Sequence, residues 1–150
     1  MKLYIDTSVW SFVLLHHDIN KRNITEKFLA NSKTLHESFI SETVIQEVQC
    51  IKDNKSRSFL LKYIEKHNPE IIKITDEAAE TSKEILKLGI LTERSAFDAL
   101  HLSIAIYSGM DALISWNMKD LVKLKTRRLV SAFCRANGHK ELDIVTPEEV

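Results

Sequence analysis

The side chains best suited to hold a hard cation stand far apart along the chain: Asp6, Glu47, Asp98, and then Asn117 with Asp120. Carboxylates gathered in one place repel one another unless something positive lies among them. A divalent cation meets that need, because Mg²⁺ takes octahedral oxygen ligands, keeps several waters and is held by only a few carboxylates. Its open positions suit phosphate oxygens, and its charge favours in-line attack of water on a phosphodiester. Each residue also has an ordinary reading. Asp6 can bond the amides of the turn it shares with Thr7 and Ser8. Glu47, between Val44 and Ile51, can be a solvated or salt-bridged helix residue. Asp98 has the Ser-x-x-Asp spacing of a capping box with Ser95, and Asp120 can be a favourable negative charge in a helix's first turn. The chemical reading requires a fold that brings these residues together.

The elements that would do so are legible as alternating periodicities. Leu3 to Ile5 reads as a strand ending at Asp6, followed by a helix carrying Trp10 to Leu15 and another from about Thr25 to Leu35. Ser38 to Ile40 is a second strand, and Ser41 can cap a helix holding Val44, Ile45, Val48 and Ile51 at core spacing. A helix with Phe59, Leu60, Tyr63 and Ile64 on one side ends before Pro69, and Ile71 to Ile74 is a third strand. Asp76 can cap a helix from Glu77 to Leu88 that Gly89 closes; Ser95 begins another, closed by Gly109. Ala112 to Ser115 and Leu142 to Val145 complete the strands. Short apolar strands alternating with longer amphipathic helices predict an α/β chain over residues 1–150, a three-layer α/β/α domain with a central, mostly parallel sheet. In such sheets the ligand crevice lies beyond the carboxyl ends of the strands, where Asp6 and Asn117 stand.

Composition narrows the function classes. The 150 residues are 44% hydrophobic and carry 21 basic against 21 acidic side chains, so no global field attracts a polyanion. Locally the balance differs: between Lys119 and Lys140 seven Lys and Arg residues face Asp120 alone, a solvated helix face or a nucleic-acid contact. No apolar run is longer than Phe12 to Leu15, and Asp6 interrupts the N-terminal apolar stretch, so neither a membrane span nor a leader is expected and the protein reads as cytoplasmic. Cys50 and Cys134 lack zinc-site spacing, and no Gly-rich phosphate loop or nucleophile elbow is present. His101 reads as a core histidine or one supporting a ligand, and Trp116 as core rather than a base-stacking surface.

Taken in order, Leu-Tyr-Ile-Asp6-Thr7-Ser8, Glu47 in Ser-Glu-Thr-Val-Ile-Gln-Glu, Phe97-Asp98-Ala-Leu-His-Leu-Ser-Ile-Ala, and Leu-Ile-Ser115-Trp116-Asn117 resemble the PIN domain over essentially the whole chain. The resemblance implies a parallel-sheet α/β/α fold and a Mg²⁺- or Mn²⁺-dependent ribonuclease of the small VapC type, the toxin of a toxin-antitoxin pair. It implies that Asp6, Glu47 and Asp98 bind the metal and that Thr7 or Ser8 supports the first of them; Asp120, one turn beyond Asn117, supplies a further metal-binding carboxylate if that turn points back toward the crevice. The substrate would be RNA, with Lys119, Lys123, Arg127 or Arg128 on its backbone. The partners would be an antitoxin protein and a second copy of the chain, and Phe12 to Leu15, Phe28 and Leu29 face either core or partner. One position departs from the family pattern: many members have Asp where this chain has Asn117, which brings an amide oxygen without charge. That leaves a second reading, a PIN-like module that binds RNA or protein without cutting. A third is a phosphatase of the haloacid dehalogenase type, which also begins with strand and Asp but has a second Asp where this chain has Ser8.

Overall fold

The computed structural model describes residues 1–150. Strand β1 (Lys2–Ile5) leads into α1 (Thr7–Phe12) and α2 (Ile19–Leu35); β2 (Glu37–Ser41) is followed by α3 (Glu42–Gln49) and α4 (Asn54–His67). Next come β3 (Glu70–Ile72), α5 (Asp76–Lys87), a 3₁₀ turn (Glu93–Ser95), α6 (Ala96–Tyr107), β4 (Ala112–Ile114), α7 (Leu124–Ala136) and β5 (Asp143–Val145). The five strands lie in the order β3-β2-β1-β4-β5 and every pairing is parallel, with Leu3 opposite Ser38 on one side and Ala112 on the other.

The two faces of the sheet are read off alternate residues. Leu3, Ile5, Ile40, Ala112 and Ile114 pack under α1 to α4 with Val9, Trp10, Leu29, Val44 and Leu60. Tyr4, Phe39, Leu113 and Ile144 point the other way, under α5 to α7 with Ile85, Leu102, Ile106 and Val130. Both faces are buried, which is why the strands read as continuous apolar runs rather than alternating ones. A helical layer covers each side, giving the three-layer architecture. The chain builds β1, β2 and β3 outward in one direction and then returns to place β4 on β1's other flank. The order therefore reverses between β1 and β4, and the crevice of an open parallel sheet opens at such a reversal.

Several boundaries differ from expectation for identifiable reasons. Helix α1 begins at Thr7 and ends at Phe12, leaving Leu14 and Leu15 in a turn closed by bonds to the carbonyls of Ser11 and Phe12. Helix α2 starts six residues before Thr25, because Asp18 caps it through the Lys21 amide and its first turns are polar, so they show no apolar period. Thr75 rather than Asp76 caps α5, accepting from the amide of Ala78. Neither Ser41 nor Ser95 makes a side-chain cap bond, so the capping box between Ser95 and Asp98 does not form. Asp120 lies in a turn ahead of α7, not in a helix's first turn. Gly109, at φ 63°, closes α6 as expected, with the following amide of Met110 reaching back to the carbonyl of Ala105. Val13, Phe28 and Leu29 belong to the core, whereas Phe12 stacks at 5.2 Å on Trp116. No helix is long and apolar enough to cross a membrane.

Candidate active site

Strand β1 hands the chain directly to α1 at Asp6, whose extended backbone makes it the N-cap of that helix. Its Oδ1 accepts the amide of Ser8 at 2.9 Å, the Ser8 hydroxyl at 2.5 Å and the amide of Val9 at 3.3 Å. Capping and chemistry thus coexist in one residue, since all three donors of this turn converge on one oxygen. Burial pushes the Asp6 carboxyl above its ordinary value despite these bonds. The Ser8 hydroxyl also accepts the amide of Trp116 at 2.9 Å, tying the end of β1 to the end of β4. Ser8 thus supports Asp6, whereas Thr7 serves a different acid.

That acid is Glu47, half-buried on α3. Its Oε2 accepts the Thr7 hydroxyl and, at 2.6 Å, Nε2 of His101 from α6. Burial raises the Glu47 carboxyl, but the hydrogen bonds of His101 and Thr7 prevail and hold it below its usual range. His101 is buried, and its Nδ1 lies 2.6 Å from the Tyr4 hydroxyl, which lies 2.6 Å from the hydroxyl of Ser41. Strand, helix and helix are thereby stitched together behind one carboxylate.

Asp98 stands on the first turn of α6, and its Oδ2 accepts the amide nitrogen of Asn117 at 2.9 Å. Burial first, and then the negative charges of Asp6 and Asp120, push Asp98 up to about 6 against the help of Asn117. The other end of the Asn117 amide, its Oδ1, accepts the backbone N–H of Asp120 at 3.0 Å and so organises its own turn. Asn117 therefore acts as a clamp between Asp98 and the Asp120 turn. Asp98 and Asp120 line an open cleft of about 780 Å³ with Lys119, Lys123, Arg94 and the Thr92 to Ser95 turn, with no hydrophobic residue in its wall.

The fold thus places Asp6, Glu47, Asp98, Asn117 and Asp120 at the carboxyl edge of the sheet, with Lys119 and Lys123 in the cleft beside Asp98 and Asp120, whereas Asp6 and Glu47 do not line that cleft. It commits Arg127 elsewhere: its guanidinium forks onto Glu149 at 3.0 and 3.1 Å and its Nε donates to the carbonyl of Val122. Arg128 is exposed on α7 and does not line the cleft. Trp116 is core, its indole N–H donating to Thr25 at 2.9 Å, as its place beside a strand end suggested. Arg94, Tyr4 and Ser41 escaped sequence reasoning. Tyr4 reads there as one more apolar strand residue, and only its burial on the α6 face brings its hydroxyl to a histidine 97 positions away.

As to a cation, the donor chemistry fits: buried Asp6 and half-buried Asp98 are carboxylates held above their ordinary values, and the charge of Asp6 raises Asp98, a conflict that positive charge relieves. No three acidic, His or Cys side chains are drawn into one coordination sphere, since Glu47 turns to Thr7 and His101, and Asp98 to Asn117. A water-rich Mg²⁺ site needs only one or two of them.

The model of the PIN domain matches residues 3–125, which includes every strand but β5 and each of these acids. The chain belongs to the PIN domain family. Two solved PIN-like structures resemble it in fold: VapBC2 from Rickettsia felis bound to a DNA fragment from their promoter, with TM-score 0.62 and 17% identity over 97% of this chain and 98% of that one; and VapC20 from Mycobacterium tuberculosis, a toxin that cleaves the sarcin-ricin loop, with TM-score 0.63 and 14% identity over 78% and 91%. No curated protein sequence matches significantly. Membership of the PIN family sets aside the phosphatase reading, and Ser8 agrees, its hydroxyl serving Asp6 where that chemistry needs a second carboxylate.

Proposed function

We propose that this PIN domain is a Mg²⁺- or Mn²⁺-dependent endoribonuclease. The observation that supports the reading is the position of Asp6 and Asp98 beside the sheet's reversal, where Asp98 is pushed up to about 6 by burial and by the charges of Asp6 and Asp120. Asp6, Asp98 and Glu47 would hold the cation, with Asp120 adding negative charge from the adjoining turn. A bound divalent cation would supply charge neutralisation at the phosphate and a more acidic water. Ser8 anchors the Asp6 carboxyl, and Thr7 with His101 anchors that of Glu47. Asp98, pushed up to about 6, is suited to take the proton of the attacking water. Lys119 and Lys123 are placed to hold neighbouring phosphates of the strand, and the flanking cleft, polar throughout, suits a backbone rather than an apolar ligand.

The relatives extend the reading to biology. VapC20 is a sarcin-ricin loop cleaving toxin and VapBC2 is bound to a DNA fragment from its promoter; by analogy this chain acts on RNA as the toxin of a toxin-antitoxin pair in the cytoplasm. A second copy would associate through surface other than Phe28 and Leu29, which the core occupies.

A binding module that does not cut is favoured by one specific observation, the Asn117 amide that already satisfies Asp98. One experiment separates the readings: cleavage of structured and single-stranded RNAs with Mg²⁺, Mn²⁺ or EDTA by the wild type, Asp6→Asn and Asn117→Asp. Metal-dependent products that vanish in Asp6→Asn support the nuclease. Binding without cleavage in the wild type, with cutting gained by Asn117→Asp, establishes the binding module instead.

A further inference from the structure

Behind Glu47 runs a closed line of hydrogen bonds through the protein interior: Ser41 Oγ to Tyr4 Oη at 2.6 Å, Tyr4 Oη to His101 Nδ1 at 2.6 Å, and His101 Nε2 to Glu47 Oε2 at 2.6 Å. Ser41 and Tyr4 are fully buried and His101 is 2% exposed, so water does not complete any of these bonds. The direction of the line follows from counting protons. A carboxylate only accepts, so the Nε2 that faces Glu47 carries a proton. If Nδ1 carried one too, it would donate to Tyr4, Tyr4 would donate to Ser41, and the Ser41 hydroxyl proton would have no acceptor in a fully buried place. With Nδ1 bare, Ser41 donates to Tyr4, Tyr4 donates to Nδ1, Nε2–H donates to Glu47, and every buried donor has its acceptor.

From this we infer that Tyr4, backed by Ser41, anchors the His101 ring through Nδ1 with Nε2–H turned to Glu47, and that His101 in turn pins Glu47 by Oε2 so that only Oε1 is free to serve a cation. The inference rests on the proposed cation site and adds one positioning residue to it, Tyr4, which touches neither metal nor RNA. Thr7 reinforces the same outcome, because its hydroxyl also donates to Oε2, and no protein group donates to Oε1. The arrangement differs from that of Asp6, whose donors come from its own turn; Glu47 is held from two other elements, the head of α1 and the middle of α6. Tyr4 leaves the sheet on the α6 face while Asp6 caps α1, so one strand end supplies both a cation-facing acid and the group that orients another.

The test uses the intact chain without RNA. Nitrogen-15 NMR of the imidazoles reads the tautomer directly, and calorimetry with Mn²⁺ reads the site without any turnover. In the wild type His101 is expected to carry a proton on the Nε2 that faces Glu47. Tyr4→Phe, which keeps the ring and the packing, is expected to keep that proton, because Glu47 still accepts it, but to leave the imidazole without its second anchor and to bind Mn²⁺ about tenfold more weakly, in line with the loss of a hydrogen-bond partner behind a ligand. Ser41→Ala leaves the Tyr4 anchor in place and is expected to keep most of the Mn²⁺ affinity, which controls for the loss of a buried hydroxyl. An Nε2 without a proton in the wild type, or a Tyr4→Phe protein that folds and binds Mn²⁺ as the wild type does, overturns the inference, as does a wild type that takes up no Mn²⁺. A wild type that binds Mn²⁺ and carries the Nε2 proton but cuts no RNA leaves the positioning intact and defeats only the nuclease reading.

Discussion

The two walls of the crevice hold their acids by opposite means. On the side of β1 and α3, Asp6 receives three donors from its own turn and Glu47 receives two from other elements. On the side of β4, Asp98 has one donor, the Asn117 amide, and feels the charges of Asp6 and Asp120 while facing an open cleft with Lys119 and Lys123. The first wall is made before any ligand arrives; the second is left in electrostatic conflict that a cation and a polyanion together would relieve. A site built this way divides the work, positioning on the buried wall and response on the open one.

The comparison breaks most visibly at Asp6. Asn keeps the capping oxygen and removes the charge, whereas Ala removes both. Asp6→Asn is expected to abolish metal-dependent cleavage, by more than the roughly 10–100-fold that losing a ligand's hydrogen-bond partner costs, while raising thermal stability, because burial disfavours the charged form of the carboxyl it replaces. Asp6→Ala loses the cap and is expected to be about 1 kcal/mol less stable than Asp6→Asn. Cleavage assays and thermal unfolding of the two variants separate the roles; an Asp6→Asn protein that still cuts would leave the wall without its central acid.

Next in size is the clamp on the open wall. Asn117→Asp keeps the oxygen that organises the Asp120 turn but exchanges the donor to Asp98 for a like charge. Without cation the variant is expected to unfold about 1 kcal/mol more easily, from the lost hydrogen bond, and to recover that stability with Mn²⁺ to a greater extent than the wild type. Equal Mn²⁺ effects on the two proteins would mean that Asp98 does not face the cation.

How far this division could be read in advance follows from the range of each interaction. Asp6, Asp98 and Asn117 sit where an apolar run ends or a helix begins, and such local signals survive in sequence; the alternation of strand and helix likewise delivered the parallel three-layer sheet. Hydrogen bonds across the fold leave no such trace. Spacing offered Asp98 a partner in Ser95, three residues away, and the fold chose Asn117 across the crevice instead. Ser41 has the side chain and place of a helix cap, yet its hydroxyl turns inward to Tyr4. Arg127 sits in a basic run that suggests nucleic acid, and only the return of the chain end reveals Glu149 beside it. Polar residues with a local use and a distant one are ambiguous until the sheet order is known.

A subtler difference between the walls concerns pH. Asp98 has a folded-state value of about 6, above the ordinary 3.8 of an unfolded chain, so the folded protein binds the extra proton between them. Its contribution to stability is therefore fully present below about 3.8 and lost as pH rises through about 6. Glu47 is shifted the other way, so its contribution is present above its ordinary 4.5 and lost as pH falls. Unfolding curves of wild type and Asp98→Asn should converge near pH 4 and separate toward pH 7, with the variant the more stable there, and saturating Mn²⁺ should narrow the gap by relieving the wild type. A gap independent of pH would mean that Asp98 is already free of the conflict.

The smallest effects distinguish the basic residues. Lys119 and Lys123 line the cleft, while Arg127, close to them in sequence, forks onto Glu149 at the far end of the chain. Each cleft lysine that meets a phosphate should add about one to the slope of log affinity against log salt, so Lys123→Ala is expected to flatten that slope by about one across all RNA sequences tested. Arg127→Ala should leave the slope alone, because its guanidinium is not offered to solvent as a free charge. It should instead cost about 0.2–1 kcal/mol of stability, since both partners are partly exposed and water screens the pair. Filter binding at several salt concentrations, beside thermal unfolding of the same proteins, reads both quantities. An Arg127→Ala protein with a flattened slope and unchanged stability would move the RNA path from the mouth of the cleft onto α7 and make the basic run, not the cleft wall, the surface that meets the backbone.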